Sequence, residues 1–536
     1  LPEWLPAAIV AVAAAALVVV AFAFHPVGDY FTETDFYGEY AAGARAIQHG
    51  HLDWSRYGVI GPVYELTLAA VGSPTGDLFT AARLISIGSA VAILAVLAWA
   101  ARRRCGVVAA SWWVLLVAAN ASFFRYGYSA CTDLLGAAFW TIAAAALLSS
   151  SSPRAWVVAG IAAALATLTR YNLAGIVPAG VVWLLAAPAR PGRRWPGVAT
   201  FASVFLVVVA PLGLAALVDG HPLGAGLLGN ADYYLNEAPN VALESRYRSL
   251  DEAVPPEAAT TSPARLVSRV LGGIPAHLAA DAGTLLGWPV AALSLLGVAF
   301  LMAARRARVL LALLPFWGFT FLALAPVFYS DRYVLALVPV YVAPAALGLA
   351  KALGDGRLRA AAAAVAGLLV VGASVLGSFG LQRDVAASIP REALSAAETL
   401  RGVSRSGESV LARKPHVPTL AGLESVPFPD ADSLGALAAF AHRSGARYLY
   451  YSWFELRLRP RFGFLLDTSA TVPGLTPLHA TTDKPSATYR IDEGFGATPP
   501  WWDDPSARRA IEARVNARMV PHRAEPLGAA PRRDVR

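Results

Sequence analysis

Long apolar runs of bilayer-spanning length recur along this chain, and they constrain its fold more than any other feature. A helix needs roughly 20 apolar residues to cross a hydrocarbon core. Such runs lie at about 5–24, 80–101, 106–122, 131–149, 155–171, 173–188, 197–218, 283–303, 307–327, 332–350 and 359–380. Hydrocarbon offers backbone groups no water, so each run must satisfy its own N–H and C=O groups as a helix. Of the 536 residues, 56% are hydrophobic and only 15% charged. The expected fold class is a polytopic α-helical membrane protein with about eleven transmembrane helices. The first run carries no small-residue cleavage site and is expected to be a retained span.

Basic residues set the topology. Arg102–Arg104 follow the second run, Arg154 the fourth and Arg190, Arg193 and Arg194 the sixth. Arg305, Arg306 and Arg308 follow the eighth, and Lys351, Arg357 and Arg359 the tenth. If the spans alternate, all five clusters share one side, which the positive-inside rule makes cytoplasmic. The net charge of +8 is therefore topogenic, and nucleic acid is a poor partner for it. Two long loops, about 25–79 and 219–282, then face outward. The N-terminus is expected in the cytoplasm and the C-terminal region outside. Cys105 and Cys131 fall near opposite faces, so no disulfide is expected between them.

The module of spans ends near residue 384, and 385–494 alternates strand and helix patterns, which suits a small extracytoplasmic α/β domain. REALSAAETLRGV and SLGALAAFAHRSG read as helices, and ESVLAR, ARYLYYSW and SATYRI as strands. From 495 to 536 the chain is rich in Pro and Arg with little periodicity, and a loosely ordered tail is expected. In the first outward loop, FYGEYAAGARAIQHG suits a helix lying at the membrane surface, and PVYELTLAAVG suits a second one.

Ionisable groups at the outward span ends are the informative ones, because charges near hydrocarbon usually face a cavity or a partner. They are Asp35, Glu39, Arg45 and Arg56 in the first loop, Arg83, Arg125, Asp133 and Arg170 at span ends, and Asp331 and Arg332 before the tenth run. The positive-inside rule does not explain arginines on the outer side. A bound phosphate would, since guanidinium donors match its oxygens. Arg–Asp pairs tying helix ends, such as Arg125 with Asp133, are the competing explanation. Asp35 could be a plain helix N-cap. With Glu39 four residues on, it could instead hold a metal or act as a general base. Metal dependence stays open, and a divalent ion would fall to Asp35 and Asp133. Candidates for acceptor or sugar contacts are Tyr40, Tyr128, Tyr171 and His221. His25 reads as an ordinary loop residue. In the outer domain Lys414, His416 and Tyr450 stand out, although ordinary surface and core positions explain them more simply.

Several segments resemble the GT-C superfamily of membrane glycosyltransferases. They are TDFYGEYAAGARAIQHG after the first run, YGYSACTDLLGAAFW at the fourth, LATLTRYN at the fifth and SDRYVLALVPVY at the tenth. SVLARKPHVPTLAGL and ARYLYYS look like an outer domain found in that superfamily. The likeness is to bacterial relatives of protein O-mannosyltransferases and of the lipid A aminoarabinose transferase. It implies a sugar donor on a polyprenyl phosphate, inverting transfer at the outer membrane face, and a catalytic acid in the first outer loop, a place taken here by Asp35. Relatives often show two adjacent acids where this chain has Asp35-Phe36, and Glu39 would supply any second carboxylate. Asp133 matches an acid at the fourth span, and Arg332 a basic residue near the donor phosphate.

The resulting expectation is a hexosyl- or pentosyltransferase in a bacterial inner membrane. Asp35 is the base, and Arg56, Arg83, Arg170 and Arg332 hold the donor phosphate. The acceptor is a glycan, lipid or protein hydroxyl. Two other readings compete. A flippase for a lipid-linked sugar should show repeated halves with interrupted helices, and no such repeat is visible. A non-catalytic assembly subunit should be indifferent to loss of the Asp35 charge.

Overall fold

The computed structural model describes residues 2–57, 60–186, 194–218, 220, 263–305, 308–354 and 356–519. His221 and most of the second outward loop lie outside the described residues. The chain divides into two compact units. Of the described residues, one holds those within 2–24, 43–220 and 263–384, and the other those within 25–42 and 385–519.

The first unit is helical, and its helices follow the apolar runs. Five described segments are long and apolar enough to cross a membrane: Leu5–Phe24, Leu78–Cys105, Arg194–Ala215, Leu335–Ala352 and Arg357–Val403. A sixth is a broken pair, Leu266–Leu285 and Trp288–Ala303, bent by 116°. The break sits at Gly287, whose φ of 75° ends one helix, and Pro289 starts the next. Shorter apolar helices are Val107–Ala118, Asp133–Ser149, Pro153–Thr169, Tyr171–Ala186 and Arg308–Leu324. The helical stretch that begins at Pro263 occupies residues read from sequence as outward loop. Its moderate polarity hid it from a search for uninterrupted apolar runs.

Helix starts carry their own signals. Asp77 accepts from the Phe79 and Thr80 N–H groups at 3.2 and 2.8 Å and so caps Leu78–Cys105. Asn120 caps Ala121–Tyr126 through the Phe123 N–H at 2.8 Å, and its amide donates to the Leu285 carbonyl at 2.6 Å. That second bond satisfies a carbonyl freed where the helix breaks. The outward faces of the long helices are apolar, with Leu295 71% and Leu376 73% exposed. Water penalises such a surface, whereas lipid does not.

Helix packing in this unit relies on small residues, as expected where lipid weakens any hydrophobic drive for association. A methyl added at Gly297 would sit 2.2 Å from the Pro344 carbonyl oxygen, and Gly348 lies against Gly297 itself. The helices Trp288–Ala303 and Val338–Ala352 thus meet backbone to backbone.

The second unit holds a five-stranded sheet in the order β2-β1-β3-β5-β4, with β1 Ser409–Leu411, β2 Glu424–Val426, β3 Tyr448–Ser452, β4 Leu475–Thr481 and β5 Ser486–Ile491. β1 runs parallel to β2 and β3, while β5 runs antiparallel to β3 and β4. All five residues of β3 are buried, because helices and loops cover both faces. The helices Arg391–Val403 and Leu434–Arg443 fall where the sequence places them. β2 and β4 were not foreseen, since β2 is short and mostly exposed and Pro477 interrupts β4 at a register shift. Pro505–Met519, expected to be loosely ordered, is a helix. Ile511, Val515 and Met519, spaced by four, form its narrow buried stripe. Arg514 pairs with Asp467 at 2.7 Å, and Arg518 donates to the Leu466 carbonyl at 2.6 Å. One apolar residue per turn is too weak a periodicity to stand out among so many arginines.

Replacing Gly297 with Val should lower stability by about 1–3 kcal/mol, the usual cost of overpacking. Thermal unfolding in detergent measures it, and an unchanged midpoint would refute the close crossing.

Candidate functional site: a buried Asp–Arg cluster and an acidic first loop

In the first unit, three segments from distant parts of the chain meet at Asp133. The turn before Asp133–Ser149 brings the acid, the end of Pro153–Thr169 brings Arg170, and the stretch before Val338–Ala352 brings Arg332. Asp133 is fully buried at its side chain and bonds both guanidiniums, Arg170 at one carboxylate oxygen and Arg332 at the other at 3.1 Å. Arg170 also donates to the Thr132 hydroxyl at 3.0 Å and lies over the Tyr333 ring. Next to Arg332, Asp331 accepts from Ser122 at 2.8 Å and Tyr126 at 2.9 Å. Arg125, from the same short helix as those hydroxyls, lies over the Tyr128 ring. The pairing considered from sequence, Arg125 with Asp133, is thus replaced by Arg170 and Arg332. Chain alternation could place all of these charges at one level, but it could not say which side chains would touch.

Asp133 is thus shared by two guanidiniums, of Arg170 and Arg332. Arg332 retains 15% side-chain exposure while Arg170 retains 7%, so Arg332 is the more reachable donor.

A second polar group in this unit gathers around Glu65, an acid that the sequence reading passed over. Glu65 is 2% exposed and accepts from the Tyr57 hydroxyl at 2.8 Å and from Arg56 at 3.5 Å. Burial pushes its carboxyl up, while Tyr57 and Arg56 pull the other way. Tyr171 donates to the Tyr57 carbonyl at 3.0 Å, so the residue after Arg170 is tied to this loop. A methyl at Gly43 would collide with the Glu65 carboxylate, which explains the small residue there. The signal was available in sequence as a lone acid inside the apolar stretch PVYELTLAAVG.

The remaining candidates are placed differently. Arg83 donates to the Ala21 carbonyl at 2.8 Å and to Thr80 at 2.9 Å, with its guanidinium over Phe22 and Phe79. It thereby fastens the wide final turn Val20–Phe24 of the first span. Tyr128 donates to Gln382 at 2.5 Å. Cys105 and Cys131 are both free. Among the described residues, no three His, Cys, Asp or Glu side chains gather as a metal site would need.

The second unit contains Asp35. His25–Ala42 lies between spans in sequence yet folds with the α/β domain. Within the loop, Glu33 accepts from the Asp29 N–H at 3.0 Å and bonds His25 at 2.8 Å, so His25 is part of the loop's frame. Asp29 accepts from the N–H groups of Phe31 and Thr32 at 2.8 and 2.6 Å. Asp35 precedes the wide turn Phe36–Tyr40 and makes no capping bond, so the bland N-cap explanation does not hold. Its carboxylate is half-buried, Glu39 is exposed and Tyr40 is buried.

The domain residues judged ordinary from sequence are the seat of this loop. His416, fully buried, donates from Nε2 to the Asp29 carbonyl at 3.0 Å and stacks on Tyr37 at 4.1 Å. Burial and the neighbouring Lys414 hold its pKa down at about 3, so the ring is neutral. Lys414 bonds the Thr34 hydroxyl at 3.1 Å. Burial and Arg413 pull its pKa down to about 7, against the attraction of Glu455, Asp35 and Asp29. Tyr30 reaches Glu392 at 3.1 Å and Tyr450 at 3.2 Å. These contacts join residues more than 360 positions apart, beyond any local pattern.

Breaking the buried ion triad should be expensive. Asp133→Ala is expected to cost about 3–5 kcal/mol because it strands two guanidiniums. Asp492→Ala, at the exposed Arg490 pair, should cost about 1 kcal/mol or less. Equal shifts of the unfolding midpoint would contradict a structural ion triad at Asp133.

Residues 60–214 match the model of a family described as dolichyl-phosphate-mannose-protein mannosyltransferase. No curated protein matches in sequence. Among solved structures, ArnT from Cupriavidus metallidurans in the apo state superposes with a TM-score of 0.55 at 16% identity, covering 90% of this chain and 97% of that one. The same protein bound to undecaprenyl phosphate gives 0.54 at 13% identity, covering 90% and 99%. The archaeal oligosaccharyltransferase AglB from Archaeoglobus fulgidus, in complex with an inhibitory peptide and a dolichol-phosphate, gives 0.55 at 14% identity, covering 92% and 75%. ArnT and AglB thus share this chain's architecture over about nine-tenths of its length.

Proposed function

We propose that this protein is a polyprenyl-phosphate-dependent membrane glycosyltransferase, inverting, that serves a hydroxyl acceptor on the extracytoplasmic face. The observation that carries the reading is the pair of guanidiniums on Asp133, found in a fold shared with a protein solved with undecaprenyl phosphate bound. Arg332 and Arg170, whose guanidinium donors match phosphate oxygens, suit the phosphate of a lipid donor. Asp133 holds the two guanidiniums apart and in register, so that little reorganisation is needed when the phosphate arrives.

The chemistry asks little else of the protein. The acceptor oxygen attacks the anomeric carbon from the side opposite the phosphate, which inverts that centre. The carbon–oxygen bond to phosphate breaks, and its electron pair leaves with the polyprenyl phosphate. The acceptor's proton passes to the Asp35 carboxylate, the proposed general base. Glu39, exposed one turn further on, is the accessory carboxylate. Arg56 and Arg83 are secondary phosphate candidates, since Glu65 and the Ala21 carbonyl already engage them. Tyr40, Tyr128 and Tyr171 are assigned to sugar or acceptor contacts.

Orientation follows from charge. Arg102–Arg104 end the same helix that bears Arg83 near its start, and Lys351 ends the helix that Arg332 precedes. Glu3 pairs with Arg102 at 3.0 Å, which sets the N-terminus with the basic ends. The positive-inside rule supports a cytoplasmic N-terminus and an opposite, outward face for the Asp133 cluster. A bacterial inner membrane is the setting proposed.

The test is purified protein in lipid nanodiscs supplied with polyprenyl-phosphate sugars, with release of free lipid phosphate as the readout. Asp35→Asn should lower turnover about 10²–10⁴-fold, the usual worth of a general base, while donor binding persists. Arg332→Met should raise the donor KM about tenfold or more. Wild-type turnover in Asp35→Asn would end the base assignment. Donor movement across the bilayer without lipid phosphate release would favour the flippase.

A further inference from the structure

The mechanism leaves one buried charge unused. Lys414 is 7% exposed, and its ammonium lies between the rings of Phe31 and Phe454, at 5.5 and 5.4 Å from their centroids. A Met or Leu side chain would fill that slot without the cost of burying a charge. Glu455, the nearby acid of the domain, pairs with Arg459 at 3.2 Å and also attracts the Lys414 ammonium. The groups facing its ammonium are Asp29 and Asp35 from the first loop, and Arg413, His416 and Glu455 from the domain.

What the ammonium does hold is the residue before Asp35. Nζ donates to the Thr34 hydroxyl at 3.1 Å, and that hydroxyl donates onward to the Tyr30 carbonyl at 2.6 Å. Thr34 is thus fixed from both sides. Neighbouring contacts on the same strip of the domain are neutral. His416 holds the Asp29 carbonyl, Thr419 donates to the Tyr37 carbonyl at 2.9 Å, and Pro415 lies against Gly38. They set the path of the loop, and Lys414 alone among these four brings a charge to the turn that carries Asp35.

We propose that Lys414 is a positioning residue for the transfer reaction, its ammonium holding the Thr34–Asp35 turn so that the Asp35 carboxylate is aimed. The α/β domain is then part of the catalytic apparatus, supplying the clamp for the acid. The inference rests on Asp35 being the base.

The test is a double-mutant cycle on the full-length protein in nanodiscs, with lipid phosphate release as the readout. Lys414→Met keeps the length of the stem and removes the charge. It should lower kcat at least about tenfold, leave the donor KM within about threefold, and not lower the unfolding midpoint. In an Asp35→Asn background it should lower the residual rate no further, because its effect passes through that carboxylate. A Lys414→Met protein with wild-type kcat, or an equal loss in both backgrounds, overturns the proposal. Should Lys414→Met not fold, Thr34→Val breaks the same link and is held to the same kcat, KM and additivity criteria. Full activity of Asp35→Asn would instead remove the base reading. An inert Asp35→Asn beside a fully active Lys414→Met would remove the Lys414 role alone.

Discussion

Asp133 carries one negative charge in a fully buried position where two guanidiniums meet it, and the polar end of the helical unit is organised around that fact. A buried carboxylate is tolerated only when paired and fully hydrogen-bonded. Its two oxygens reach Arg170 and Arg332, which come from the end of one helix and the approach to another. Arg170 continues to Thr132 and Tyr333, and Asp331 continues to Ser122 and Tyr126. Four segments of the chain are thereby held at one level. An apolar bundle without such a constraint can slide, because lipid and helix faces attract each other about equally.

The same site that fixes the helix ends also gathers two guanidiniums on one carboxylate. Structural pairing and ligand binding were posed as alternatives from the sequence, yet in this arrangement they are compatible. The carboxylate aligns the arginines, and their donors are what an anionic headgroup would meet. The helix break at Gly287 and the turn at Val20–Phe24 belong to the same economy of backbone groups. Each leaves carbonyls that side chains then satisfy, Asn120 for Leu285 and Arg83 for Ala21.

The acidic loop has a different support. His25–Ala42 is flanked in sequence by transmembrane helix on one side and surface helix on the other, yet it folds with the C-terminal domain. Its hold combines a neutral imidazole on a carbonyl, a stacked ring, a tyrosine pair on Glu392 and one buried ammonium. The domain's sheet presents β3 with Tyr450 at its middle, and the preceding strip Arg413–Thr419 meets the loop. The domain is therefore a scaffold for the loop that bears Asp35.

Sequence alone determined where most of the apolar helices lie, the α/β character of the C-terminal region and the types of charge at the helix ends. These are local properties: apolar length, strand alternation, and the excess of Arg between runs. It also supplied the motifs whose order carried the GT-C resemblance. Only the tertiary structure decided that Asp133 pairs with Arg170 and Arg332 rather than Arg125, that Glu65 collects Arg56 and Tyr57, and that Lys414 and His416 seat the first loop. Those choices depend on contacts between residues separated by up to several hundred positions. Periodicity fixes which face a residue occupies on its own element, but not which neighbour that face will meet.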